Sequence, residues 1–152
     1  MVRITISTTP FSVEDELARF AEQRSASAGA VASFVGYCRG DSPVGAVENL
    51  HLDHYPGFTE TEIERLAQTI AERHSLIALK VVHRAGRVAP LEPIVLVAAM
   101  SAHRAEAFAA VAELMDYLKT DAPFWKREEA GGQTSWIEPT EADRARRAAR
   151  GE

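Results

Sequence analysis

Cys38 is the only cysteine in this 152-residue chain, so no internal disulfide can form and no Cys-based metal site can be assembled. No apolar run reaches the roughly 20 residues that span a bilayer, and the opening MVRITISTTP lacks the charged, apolar and small-residue order of a signal peptide. These two absences predict a cytoplasmic protein without a membrane partner. Excess positive charge is also missing. Against 22 Asp and Glu stand 17 Lys and Arg, a net charge of −5, which argues against a nucleic-acid partner while leaving room for a local basic pocket. Neither a GxSxG elbow nor a Walker phosphate loop occurs, so Ser-His-Asp hydrolysis and P-loop chemistry have little support. No internal repeat or linker divides the chain.

What is present suits one globular domain over residues 1–138, followed by a tail, 139–152, that lacks large apolar residues and is expected to be mobile or ordered by a partner. Alternation predicts strands at VRITIS (2–7) and VENLHLDHY (47–55), and IALKVVHR (77–84) reads as another. The runs AVASFVGY (30–37) and IVLVAAM (94–100) read as buried strands, the second of them central. Helices are predicted after Ser12, after a Thr59–Glu62 capping box, and after Ser101 as N-cap. In the last of these, Phe108, Val111, Met115 and Leu118 follow a buried-stripe rhythm. Pro123 should stop that helix, leaving Lys126 on a loop. Three main helices and short strand connections predict an α+β fold with a mostly antiparallel sheet.

Chemistry concentrates at element ends. Arg39 follows one strand, His103 and Arg104 follow another and open a helix, and Lys119, Lys126 and Arg127 surround that helix's far end. Cations in a helix's first turn oppose its dipole, so His103 and Arg104 point to an anion bound there. Converging lysines would depress one another's pKa, by burial and by mutual repulsion. His83, Arg84 and Arg87 add further cations near the Gly-Pro connection. His51 and Asp53 share a strand face while His54 points away, so no metal site is expected. Three readings stay open on this ground: a lysine-dependent transferase acting on a small anion, a module that only binds such an anion, and an oligomeric scaffold.

Four stretches then add a resemblance. HYPGF (54–58), HRAGRV (83–88), the His103–Arg104 pair and MDYLKTDAPFWKRE (115–128) resemble the large, catalytic subunit of molybdopterin synthase over roughly residues 3–138, and the LKTxAPxWKxE pattern is specific in combination. The resemblance implies a hammerhead α+β fold and a homodimer of large subunits within a heterotetramer. At each end it implies a small ubiquitin-like carrier whose Gly-Gly terminus bears a thiocarboxylate. Sulfur passes from it to cyclic pyranopterin monophosphate, and two transfers make the dithiolene of molybdopterin; no cofactor is implied. By matching positions, Lys119 and Lys126 are the catalytic lysines, with Lys119 nearest the carrier's terminal carbonyl, and Arg39, His103 and Arg104 hold the pterin phosphate. Arg127 and Glu128 follow in the same matched segment and are placed with the substrate-binding residues that line the site. Tyr37 and Cys38 are placed with the substrate-binding residues, although YCRG departs from the small, β-branched residues usual there. PLEP (90–93) is a second departure, with consequences for a dimer or carrier contact.

Overall fold

The structure, a computed structural model, describes residues 1–151. Its first sheet holds β1 (Val2–Ser7), β5 (Ala78–Arg84), β7 (Pro93–Ser101) and β2 (Ala30–Tyr37) in that order. β1 pairs with β5 in parallel, and β7 pairs antiparallel with both β5 and β2. The apolar run at 94–100 is therefore an inner strand, as its composition demands. β2 differs from the expected buried strand. It forms the sheet edge, and Val31, Phe34 and Tyr37 are exposed.

Three helices cover this sheet. α1 (Val13–Ala21) starts at Ser12, whose hydroxyl accepts the Asp15 N–H at 3.2 Å. It sets Phe20 against Ala78, Ala98 and Met100. α2 (Phe58–Arg73) and α3 (Arg104–Thr120) pack the other side, where Ile63, Ala67, Ile70, Val97, Ala110 and Leu114 share one core. α2 is capped two residues before the Thr59–Glu62 box: the Glu60 carboxylate accepts the Gly57 N–H at 3.0 Å, and Gly57 takes φ 86°, which a glycine adopts without strain. Thr59, fully buried, has a different task. Its hydroxyl accepts the Tyr55 N–H at 2.9 Å and donates to the Pro123 carbonyl at 3.2 Å, tying the start of α2 to the segment that carries Lys126.

The α3 stripe also differs from its prediction. Ala107, Ala110, Val111, Leu114, Tyr117 and Leu118 are buried, whereas Phe108 is 66% exposed. Two alanines let the helix approach the sheet closely, and that rotation leaves the Phe108 ring on the flank. Ser101 is not the cap either: its hydroxyl donates to the His103 carbonyl at 2.5 Å, and His103 occupies the cap position without a side-chain bond.

The second sheet combines β3 (Asp41–Ser42), β4 (Gly45–His54), β8 (Phe124–Ala130) and β9 (Gln133–Ile137), with β6 (Gly86–Val88) pairing on β4. Lys126 thus lies on a strand opposite Leu52, not on a loop. Residues 139–152, expected as a tail, contain α4 (Glu141–Ala149), which has no buried residue. Arg147 reaches Asp121 at 2.9 Å and Arg150 reaches Asp116 at 2.6 Å, so α4 lies on α3 through exposed ion pairs. No described helix is long and apolar enough to cross a membrane.

Candidate active site

Lys119 leaves the last turn of α3, where a cation complements the helix dipole. Asp121 follows as the cap, and Pro123 turns the chain into β8. Along β8 the side chains alternate, so Phe124, Lys126, Glu128 and Ala130 share the inward face and Trp125, Arg127 and Glu129 the outward one. Two lysines seven positions apart are thereby brought to one cleft by a helix end and a strand. The cleft has a volume of about 70 Å³ and is bordered by Phe34, Tyr37, His83, Met115, Lys119 and Lys126.

The electrostatics follow from this packing. Lys126 is half-buried, and its ammonium is pushed down from 10.5 to about 8, first by burial and then by Lys119, with Asp143 of α4 opposing. Among the described residues neither lysine makes a hydrogen bond or salt bridge. His83, read from sequence as one more cation, is 4% exposed and neutral: burial pushes it down to about 3, and Lys126, Lys119 and His54 push the same way. Phe124 stacks on its ring at 4.0 Å and 15°. Nothing in the local sequence marks His83 as different from Arg87, because its neutrality comes from burial and from residues 29 to 43 positions away.

The remaining predicted site residues divide. Tyr37 borders the cleft, and Glu128 lies two residues beyond Lys126 on the same face. Arg127 is on the opposite face with its guanidinium 5.9 Å from the Trp136 ring. Cys38 is 3% exposed and packs in a small core with Val47, Leu50, Leu52 and Val88 of the second sheet, and burial first, then Glu128 and Glu92, push its thiol up. It is a small apolar filler, turned away from the cleft. Arg39 is exposed one residue further on. His103 and Arg104 are exposed at the start of α3, and the fifteen residues from Arg104 to Lys119 place them about 22 Å away at 1.5 Å per residue. One chain does not bring these cations to the lysines.

A second hollow, of about 480 Å³, runs between the β2 edge and α3, bordered by Phe34, Phe108, Met115 and Lys119 and closed by Asp143 and Arg146 of α4 and by Arg150 at its C-cap. Phe34, Met115 and Lys119 border both spaces, so the groove opens beside the lysine cleft.

The family model described as MoaE protein matches residues 6–121. The molybdopterin synthase catalytic subunit of Cereibacter sphaeroides is 46% identical over 144 residues, covering 95% of this chain and 97% of that protein. Among solved structures, the molybdopterin biosynthesis MoaE protein from Burkholderia ambifaria has a TM-score of 0.83 at 39% identity, covering 100% of this chain and 99% of that one. The protein–protein complex of subunits 1 and 2 of the Helicobacter pylori molybdopterin-converting factor shares the fold, with a TM-score of 0.74 at 21% identity over 88% of this chain and 89% of that one. Similarity of this extent, running through the helix and strand that carry both lysines, means that the chain belongs to the MoaE family of molybdopterin synthase catalytic subunits, which carry out a sulfurtransferase step of molybdenum cofactor biosynthesis.

Proposed function

We propose that the cleft between α3 and β8 is where sulfur leaves the thiocarboxylate of a small ubiquitin-like carrier for cyclic pyranopterin monophosphate, with Lys119 and Lys126 as the catalytic residues. The observation that carries this reading is a pair of ammonium groups that form no salt bridge among the described residues and share one narrow cleft. Such a site is complementary to incoming negative charge. A thiocarboxylate entering it gains both ammonium groups, and its arrival restores Lys126 toward the charged form by opposing the repulsion from Lys119. Lys119, fixed by the packed α3, is placed to polarise the carbonyl and to stabilise the oxyanion that develops during transfer. The two-subunit complex from Helicobacter pylori supports a small partner subunit here as well.

The phosphate ligands need a second copy. Ala30 at one end of β2 pairs with Ser101, beside His103 and Arg104, while Tyr37 at the other end borders the lysine cleft. If two copies meet across their β2 edges and α3 flanks about a two-fold axis, the antiparallel arrangement carries His103 and Arg104 of one copy to Lys119 and Lys126 of the other. The exposed Val31, Phe34 and Phe108 supply an apolar surface for that contact. Arg39, next to Tyr37, is then a phosphate ligand from the same copy as the lysines.

The test is reconstitution from purified components: this chain, a thiocarboxylated carrier and cyclic pyranopterin monophosphate, with dithiolene product as the readout. Lys119→Ala should keep its circular dichroism and its carrier binding while turnover falls by about a hundredfold or more, the size expected when an oxyanion-stabilising donor is lost. Near wild-type turnover in that variant would remove the lysine mechanism.

A further inference from the structure

The orientation and tautomer of His83 are both fixed. The face-to-face stack with Phe124 sets its plane, and its Nδ1 lies 2.7 Å from the Arg84 carbonyl oxygen. A carbonyl only accepts, so Nδ1 carries the proton and Nε2 keeps its lone pair. Arg84 is itself buried and donates to the Arg87 carbonyl at 2.8 Å, which immobilises the strand end that fixes the ring. Nε2 has no hydrogen-bond partner among the described residues, and the ring borders the cleft.

Lys119 and Lys126 bring only N–H donors to that cleft. A ligand lying between them therefore meets a neutral acceptor held in one place. The groups facing His83 are Lys126 on β8, Lys119 on α3 and His54 on β4, and with its burial they keep the ring uncharged well below neutral pH. It accepts a hydrogen bond without competing for the proton. Size narrows the choice of donor. A cavity of about 150 Å³ is what benzene occupies in a protein interior, so a space of about 70 Å³ suits a slim chain end better than a whole fused pterin ring.

We propose that His83 Nε2 accepts the backbone N–H of the carrier's terminal glycine, next to its thiocarboxylate, and so sets how the chain end lies between the two lysines. This rests on the lysine cleft being the site of sulfur transfer. A terminal residue without an N–H leaves Nε2 unpaired, so His83 is a determinant of which chain ends bind.

Two substitutions separate this role from a structural one. His83→Asn can keep the donor to the Arg84 carbonyl but loses the acceptor, whereas His83→Gln can keep an acceptor near the Nε2 position and loses the donor. Calorimetric titration with the carrier ending in an ordinary Gly-Gly carboxylate should show binding weakened by about three- to tenfold for His83→Asn and within about twofold of wild type for His83→Gln. A carrier whose final glycine is replaced by N-methylglycine should lose about the same affinity for the wild-type chain and nothing more for His83→Asn. That carrier tests the same hydrogen bond with no substitution in the protein, so it decides the matter if either variant fails to fold. Equal binding of both carriers by the wild-type chain, weakening in His83→Gln alone, or equal weakening in both variants would overturn the proposal. The underlying site reading fails separately: it falls if Lys119→Ala turns over normally, whatever the carrier titrations give.

Discussion

Lys126 pays for its position in stability, and the sign of that effect can be worked out from its pKa. In the folded chain it titrates near 8 instead of 10.5, chiefly because it is buried. Below pH 8 it is charged in both folded and unfolded chains, so the full desolvation penalty is present. Between about pH 8 and 10.5 the unfolded chain holds a proton that the folded chain has released, so stability rises with pH through this window. Lys126→Met, similar in length but without charge, should therefore raise the unfolding midpoint at pH 7. The advantage should shrink from pH 8 upward and be gone above 10.5. Thermal unfolding of both proteins across that range checks it, and an advantage that stays constant with pH would show that burial is not what shifts this lysine.

The element that organises the site is α3, and its energetics can be read residue by residue. Leu114 is fully buried in the main core, so Leu114→Ala should cost about 2 to 5 kcal/mol of stability in denaturant unfolding. Phe108, larger but 66% exposed, contributes little to the isolated fold. On the two-fold contact proposed above, any loss in Phe108→Ala should depend on protein concentration. A large, concentration-independent loss would instead restore Phe108 to the core. Periodicity in the sequence supports either side of this helix, since alanines at 107 and 110 register as weakly apolar while Phe108 registers strongly. Their small size, which lets the helix press against β7 and β2, decides the rotation. Lys119 at the helix end was legible because capping and Pro123 are local signals. The strand character of β8 was not: FWKREEA carries charge on both faces, and its pairing partner is β4, about 75 residues earlier. α4 was equally hidden, because the ion pairs that hold it on α3 join Arg147 and Arg150 to aspartates 26 and 34 positions away.

At the scale of the whole molecule, the proposed site falls into two halves that one chain keeps apart. The lysine cleft lies at one end of α3 and the His103–Arg104 pair at the other, about 22 Å apart along the helix. The sequence lists these cations together by type, and only the helix length between them shows that they cannot act on one small substrate within one chain. Fold class and the central strand were legible from composition and periodicity, and Lys119 at the end of α3 from local signals. Separation along the helix, the neutrality of His83 and the burial of Cys38 depend on three-dimensional packing and were not. The two-fold pair of chains proposed above would bring the halves together, and it predicts that two different inactive chains can rescue each other.

Complementation between Lys119→Ala and Arg104→Ala tests this most directly. Each variant alone should form a dimer of twice the 16.6 kDa chain mass by light scattering and show little sulfur transfer to cyclic pyranopterin monophosphate. After the two are mixed, dissociated and reassociated in equal amounts, half the dimers are mixed, and each mixed dimer holds one site with both residues intact. The account predicts recovery of about a quarter of wild-type turnover in the reassociated mixture, as a two-fold site shared between subunits requires. No recovery above the separate variants, with mixed dimers shown to be present by mass spectrometry, would mean that Arg104 and Lys119 do not meet across two chains and that the shared site is wrong.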